Sequence, residues 1–290
     1  MSLVKSLSVG NGDMFYIKHG ADSFTVIDCC MDDDNKEEIM DEIVEQSKNK
    51  GISRFVSTHP DDDHFQNIEY FIERKGIENF YCVENEATKS EETDSFKKYK
   101  ELRDGDKAYF VYKNCKRKWL NQKNSERGSA GLHFLWPDTA NEDYKDALEK
   151  AKNGESPNNI SLILQYNCGA KFLWMGDIET EFLEKVKDEI DFEEVDVVFA
   201  PHHGRESGKI PSDVLKILNP KIIVVGEAPS KNLNYYSGYN TITQNSAGDI
   251  IFDIQGDTVD VYVESENYSV DYLDDEGKST YDNYIGSFSL

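Results

Sequence analysis

Apolar positions along this chain follow two rhythms. Some form short runs that alternate or carry no polar break, and others recur every three or four positions. The first rhythm predicts strands over residues 2–9, 14–19 and 23–29, separated by turns at Gly10-Asn11-Gly12-Asp13 and Gly20-Ala21-Asp22. The second predicts a helix over 36–50, with Ile39, Met40, Ile43 and Val44 on one face, Asp34 or Asn35 at its N-cap and Gly51 as its stop. A strand over 54–58 runs into His59-Pro60. A second helix then carries Phe65, Ile68, Phe71 and Ile72 up to Gly76, and a strand follows over 79–83.

Residues 84–131 are the least regular, mostly charged, with room for one polar helix before 106. Pattern resumes with a strand over 132–136 and a helix over 141–153. Strands over 160–166 and 171–175 come next, the latter ending at Gly176-Asp177. A helix over 178–190 leads to a strand over 195–200, which enters Pro201-His202-His203-Gly204. A helix over 211–218, a strand over 221–225 and a hairpin around Gln255-Gly256-Asp257 complete the series. The chain thus reads as two comparable halves, each a strand meander followed by α/β units. In open α/β sheets, sites are built just beyond the carboxyl ends of the strands. Residues 1–263 form one domain carrying the inserted charged region 84–131, and 264–290 form an acidic, Tyr-rich tail.

Composition narrows the function. With 290 residues, 38% hydrophobic and 12% aromatic, the chain has ample material for a core. Lys and Arg number 32 against 56 Asp and Glu, a net charge of −24, which repels phosphate backbones and anionic lipid at long range. A nucleic-acid coat or membrane-surface role is therefore disfavoured, and no window approaches the roughly 20 apolar residues a bilayer span needs. The first residues are too short a run for a secretory signal. The five cysteines show no C-x-x-C spacing and read as reduced thiols, so a cytoplasmic location is expected. The one locally basic stretch contains Lys113, Lys116, Arg117, Lys118, Lys123 and Arg127; it is either a landing strip for a polyanion or a solvated loop.

The chemistry lies elsewhere. Four of the six histidines fall in two clusters, His59-Pro60-Asp61-Asp62-Asp63-His64 and Pro201-His202-His203-Gly204, each directly after a strand. Carboxylates crowded into one loop repel each other unless a cation neutralises them, and imidazole with carboxylate suits Zn, Mn or Fe better than Ca.

The first cluster resembles the H-x-H-x-D-H loop of the metallo-β-lactamase superfamily, with Asp61 where the second His usually stands. More closely, it is similar to the H-P-D-x-D-H form in the hydrolase domain of the DNA-uptake protein ComEC and its stand-alone relatives. Gly10-Asn11-Gly12-Asp13, Asn158-Asn159-Ile160-Ser161-Leu162, Gly176-Asp177 and Pro201–Gly204 follow in the family's order. The resemblance implies a four-layer αβ/βα sandwich and two divalent ions, Zn or Mn. It places Asp63 and His64 on one ion, His59 and Asp61 on the other, and Asp177 bridging them. One of His202 and His203 completes the Asp63/His64 site, while its neighbour contacts or protonates substrate. Asn158 or Asn159 lies where relatives place another ligand. Two such ions would acidify a water at neutral pH.

The expected activity is phosphodiester hydrolysis of a nucleotide, cyclic nucleotide or short nucleic acid, by Asp61, Asp177, His202 and His203. Arg205, where relatives carry Ser, would pair with a phosphate oxygen, and Asn159 would also touch substrate. Asp28, at the end of a strand, is expected to orient a ligand histidine or to cap a helix. Two other functions use the same residues: hydrolysis of a lactone, thioester or amide, and metal binding without catalysis in a decayed site. Ester substrates would reveal the first, and metal stoichiometry the second.

Overall fold

The computed structural model describes residues 1–228 and 234–290. In chain order its elements are β1 (Ser2–Ser6), β2 (Phe15–Lys18), β3 (Ser23–Ile27), α1 (Lys36–Gln46), β4 (Ile52–Val56), α2 (Ile68–Arg74), β5 (Phe80–Cys82), α3 (Asp94–Arg103) and β6 (Ala108–Phe110). There follow β7 (Leu132–Trp136), α4 (Glu142–Lys152), β8 (Ile163–Asn167), β9 (Lys171–Trp174), α5 (Thr180–Val186), β10 (Val197–Phe199), α6 (Ser212–Leu218) and β11 (Ile222–Val225). The last are β12 (Thr241–Thr243), α7 (Gln244–Ala247), β13 (Ile250–Gln255), β14 (Thr258–Val263) and β15 (Tyr284–Ser289).

Strands of period two sort their side chains onto two faces. In β2, Phe15 and Ile17 enter one buried cluster and Tyr16 enters the other; in β4, Val56 and Phe55 divide the same way. These strands are therefore covered on both sides, which explains their near-continuous apolar character. The outer cluster joins the nine-stranded sheet to α1, α2 and α3 through Ile39, Met40, Ile43, Phe71, Phe96 and Tyr99. The inner cluster lies between the two sheets, where Phe15 and Trp174 both pack on Phe199, at ring distances of 4.9 and 4.7 Å. On the far side, Tyr144 of α4 and Phe182 of α5 meet Trp136 of β7. The result is four layers, helix, sheet, sheet, helix.

The two sheets share a plan. The first has strand order β15-β14-β13-β1-β2-β3-β4-β5-β6 and the second β12-β11-β10-β9-β8-β7. Pairing is antiparallel through β1, β2 and β3 and parallel from β3 to β6. The second sheet repeats this, antiparallel through β7, β8 and β9 and parallel from β9 to β12. The carboxyl ends of β3, β4, β9 and β10 carry Asp28, His59, Asp177 and the His202-His203 pair.

Three short or late strands lie outside the sequence-based expectation. Strands β6 and β12 have only three residues each. Strand β15, within the segment expected to be a tail, pairs antiparallel with β14 at the edge of the first sheet. Residues 160–162, expected in a strand, lie outside it: Ile160 ends a 3-10 turn at Asn158–Ile160 and β8 starts only at Ile163. Neither Asp34 nor Asn35 caps α1 with its side chain; Asp32 accepts the backbone N–H groups of both. Among the described residues, no helix is long and apolar enough to cross a membrane, and the five cysteines are unpaired.

Candidate metal centre

Backbone bonds tie the strand-end loops into one rim. The Asp28 N–H donates to Val56 O, Cys29 to His64 O, Leu162 to Thr58 O, His202 to Gly176 O and Asp13 to Asp63 O. Two glycines allow close approaches in this rim. A Cβ on Gly12 would stand 2.5 Å from Asp63 O, and one on Gly176, at φ +53°, would stand 2.8 Å from Ser161 Oγ. That hydroxyl accepts the Asp177 N–H at 3.0 Å. The Asn158–Leu162 segment therefore positions the aspartate that follows β9.

Three buried histidines are anchored alike. His64 Nδ1 donates to Asp28 at 2.8 Å, His203 Nδ1 donates to Asp13 at 3.1 Å, and His59 Nδ1 donates to Thr58 Oγ1 at 3.2 Å. The Thr58 hydroxyl donates in turn to Asp28 at 2.6 Å and its N–H at 2.8 Å. Each imidazole therefore faces inward with Nε2, and the Nε2 atoms of His59, His64 and His203 are all buried without a hydrogen-bond partner, as is Asp177 Oδ1. Buried polar atoms are rarely left so.

These atoms converge. His64 Nε2 lies 3.1 Å from Asp177 Oδ1, out of line for a hydrogen bond, and 3.9 Å from Asp63 Oδ1. His203 Nε2 lies 3.5 Å from both Asp63 Oδ2 and Asp177 Oδ2. One donor atom each from Asp13, His64, Asp177 and His203 falls within 4.8 Å of the others. Asp13 was given no role by the sequence, where Gly10-Asn11-Gly12-Asp13 reads only as a turn. Its contact to Nδ1 rather than Nε2 makes it the counterpart of Asp28, a carboxylate that orients an imidazole from behind.

Electrostatics agree with a cation-shaped gap. Burial works against charge on His64 and His203, yet Asp177 with Asp28, and Asp13 with Asp177, outweigh it and raise both above the ordinary histidine range. Burial likewise opposes ionisation of Asp177 and Asp63, but the facing imidazoles hold both low, Asp63 at about 2. Burial and the neighbouring His64 depress His59 to about 4. Burial pushes Asp28 up despite His64. Without a metal, protons on His64 and His203 balance the carboxylates. A divalent ion would take the place of those protons.

The two histidines after β10 differ. Both take left-handed backbone, φ +52° and +53°, a conformation that costs a non-glycine residue on the order of 1 kcal/mol or more and gathers at functional sites. His203 turns into the buried cluster. His202 stands at the rim, with Nδ1 against Ser207 Oγ at 2.8 Å and Nε2 3.7 Å from Asp177 Oδ2. Arg205 donates from one nitrogen to His202 Nε2 at 3.4 Å and from another to Asn11 Oδ1. That leaves His202 neutral with its proton on Nδ1, and burial lowers its pKa in the same sense.

Other expected residues are placed elsewhere. Asp61 accepts the Lys89 ammonium at 2.5 Å and caps the Asp62 N–H. Both ends of the Asn159 amide bond to Glu179. In the basic stretch, Lys113, Lys118 and Arg127 pair with Asp191, Glu126 and Asp22, and Arg117 lies over the Tyr109 ring. Tyr236 is buried and Tyr235 and Tyr239 pack against the core; the segment 230–239 carries no histidine, and its residues 230–233 lie outside the described residues.

No protein-family model matches this sequence, and no curated protein matches it. Among solved structures the chain is similar to a Thermotoga maritima protein described, provisionally, as a Zn-dependent hydrolase of the metallo-beta-lactamase superfamily. Identity is 13%, coverage is 79% of this chain and 78% of that one, and the TM-score is 0.33. A likeness that slight lends no weight to a function, which rests on the site itself.

Proposed function

We propose that this protein is a metal-dependent hydrolase of the metallo-β-lactamase superfamily, of the type found in the DNA-uptake hydrolase domain, and that it cleaves a phosphodiester. The observation that carries the reading is the meeting of buried, unpartnered Nε2 atoms and an Asp177 oxygen at one sheet edge. These donors fit a divalent Zn or Mn ion, held by Asp63, His64, Asp177 and His203. Bound there, the ion would supply Lewis acidity toward a phosphoryl oxygen and toward water.

The chain's own groups supply the rest. Asp28 and Asp13 fix the two imidazoles. His202 is neutral in the resting state with its Nε2 accepting from Arg205 at the rim, and it takes up a proton once Arg205 turns to a substrate oxygen. Arg205 presents a guanidinium at the rim, suited to an anionic oxygen, and this favours a phosphodiester over a neutral ester. The net charge of −24 favours a small or single-stranded substrate over duplex. Five unpaired cysteines suit a reducing, cytoplasmic setting.

Turnover of bis-nitrophenyl phosphate with Zn²⁺ or Mn²⁺, compared with nitrophenyl esters, tests this. Phosphodiester cleavage abolished by chelation and by Asp177→Ala is expected. Ester cleavage alone would overturn the substrate class, and metal binding without turnover of either would indicate a non-catalytic site.

A further inference from the structure

We infer that Lys89 serves as a built-in cation on the Asp61 side of the centre, so that each chain holds one divalent ion instead of two. This rests on the metal reading above and concerns how many ions the site takes.

The inserted region begins just after β5, and its first turn returns to the His59–His64 loop. There Lys89 Nζ lies 2.5 Å from Asp61 Oδ1 and 2.5 Å from Asp62 Oδ2. Thr93, which caps α3 by accepting the Phe96 N–H, donates its hydroxyl to Asp62 Oδ1 at 2.6 Å. The same ammonium stands 5.4 Å from the Phe96 ring centre and 5.9 Å from that of Phe65. Two carboxylates and two ring faces thus hold one ammonium. With a side chain only 19% exposed, Lys89 is far better fixed than a surface lysine.

The consequence follows from counting donors. On the inner side, Asp63, His64, Asp177 and His203 are free to coordinate. On the outer side, His59 Nε2 is buried and unpartnered, but Asp61, the carboxylate nearest it in sequence, is already neutralised. A second ion would have to expel the ammonium or accept too few ligands, and placing two more positive charges beside Lys89 costs Coulomb energy at short range. Lys89 therefore supplies the second positive charge as part of the chain.

The test counts metal. Full-length protein is saturated with Zn²⁺ or, separately, Mn²⁺, freed of excess by gel filtration and analysed for metal per chain, with circular dichroism to establish folding. One ion is expected in the wild type and in Lys89→Arg, and two in Lys89→Met, returning to one in Lys89→Met/Asp61→Asn. Two ions in the wild type would overturn the inference, whatever the variants do. So would a folded Lys89→Met that stays at one. If Lys89→Met does not fold, Lys89→Gln replaces it, with the same expected rise. A wild type that binds none, or one whose ion survives Asp177→Ala, fails differently: it removes the metal centre itself.

Discussion

Replacing Asp28 by Asn tests whether a residue that touches no substrate sets the geometry of the centre. Asp28 is fully buried, so an isosteric change opens no cavity. Its Oδ2 takes two donors, the Thr58 hydroxyl and His64 Nδ1, and its Oδ1 takes the Thr58 N–H. A carboxamide has one acceptor oxygen. Turned toward Thr58 Oγ1 and His64, it leaves its NH₂ facing the Thr58 N–H; turned the other way, it faces two donors. The better orientation loses one hydrogen bond and strands one buried donor, a cost of about 1–3 kcal/mol. That lowers the melting temperature by about 2–4 °C for each kcal/mol in a domain of this general size. Loss of the charge behind His64 should weaken metal binding about 10–100-fold. Chelator competition reads the affinity, and melting in EDTA reads the metal-free stability. A variant whose metal affinity stays within about twofold (under ~0.5 kcal/mol) would show that Asp28 does not orient His64.

Other consequences are equally direct. Gly12→Ala should disturb the Asp13–Asp63 contact and cost about 1–3 kcal/mol by overpacking, seen as a lower denaturant midpoint with weakened metal binding; an unchanged midpoint and affinity would refute the close approach. Truncating Phe199, which lies between Phe15 and Trp174, to Ala should cost about 3–5 kcal/mol, measured by urea unfolding. Burial holds His19 down to about 3, so between the unfolded value near 6.5 and that point the unfolded chain binds a proton that the folded chain refuses. Stability is then lost as pH falls, by about 1.4 kcal/mol per unit for this group. Unfolding followed from pH 6.5 to 4.5 should show a shallower slope in His19→Gln, and an identical slope would contradict the assignment.

Much of the site was legible in the sequence because its groups sit where strands end, and strand ends are what hydrophobic rhythm marks. His59, Asp63, His64, Asp177 and the His202-His203 pair all stand just beyond apolar runs. Which of the last two faces inward was not legible, since it depends on two consecutive left-handed residues. Asp13 escaped because a glycine turn has the same pattern wherever it packs; only the structure shows it lying on Asp63. Lys89 escaped because its carboxylate partners are 27 and 28 positions away, across a loop with no period. Strand β15 escaped because its one fully buried stretch is Gly286-Ser287-Phe288, too short and too polar to stand out from an acidic segment.

The most direct measurement is anomalous diffraction from crystals equilibrated with Zn²⁺, recorded at the zinc edge. The account predicts a peak at ligand distance, roughly 2.0–2.2 Å, from Nε2 of His64, Nε2 of His203 and the carboxylates of Asp63 and Asp177. A saturated crystal with no peak there, or with zinc bound only by other side chains, would contradict it.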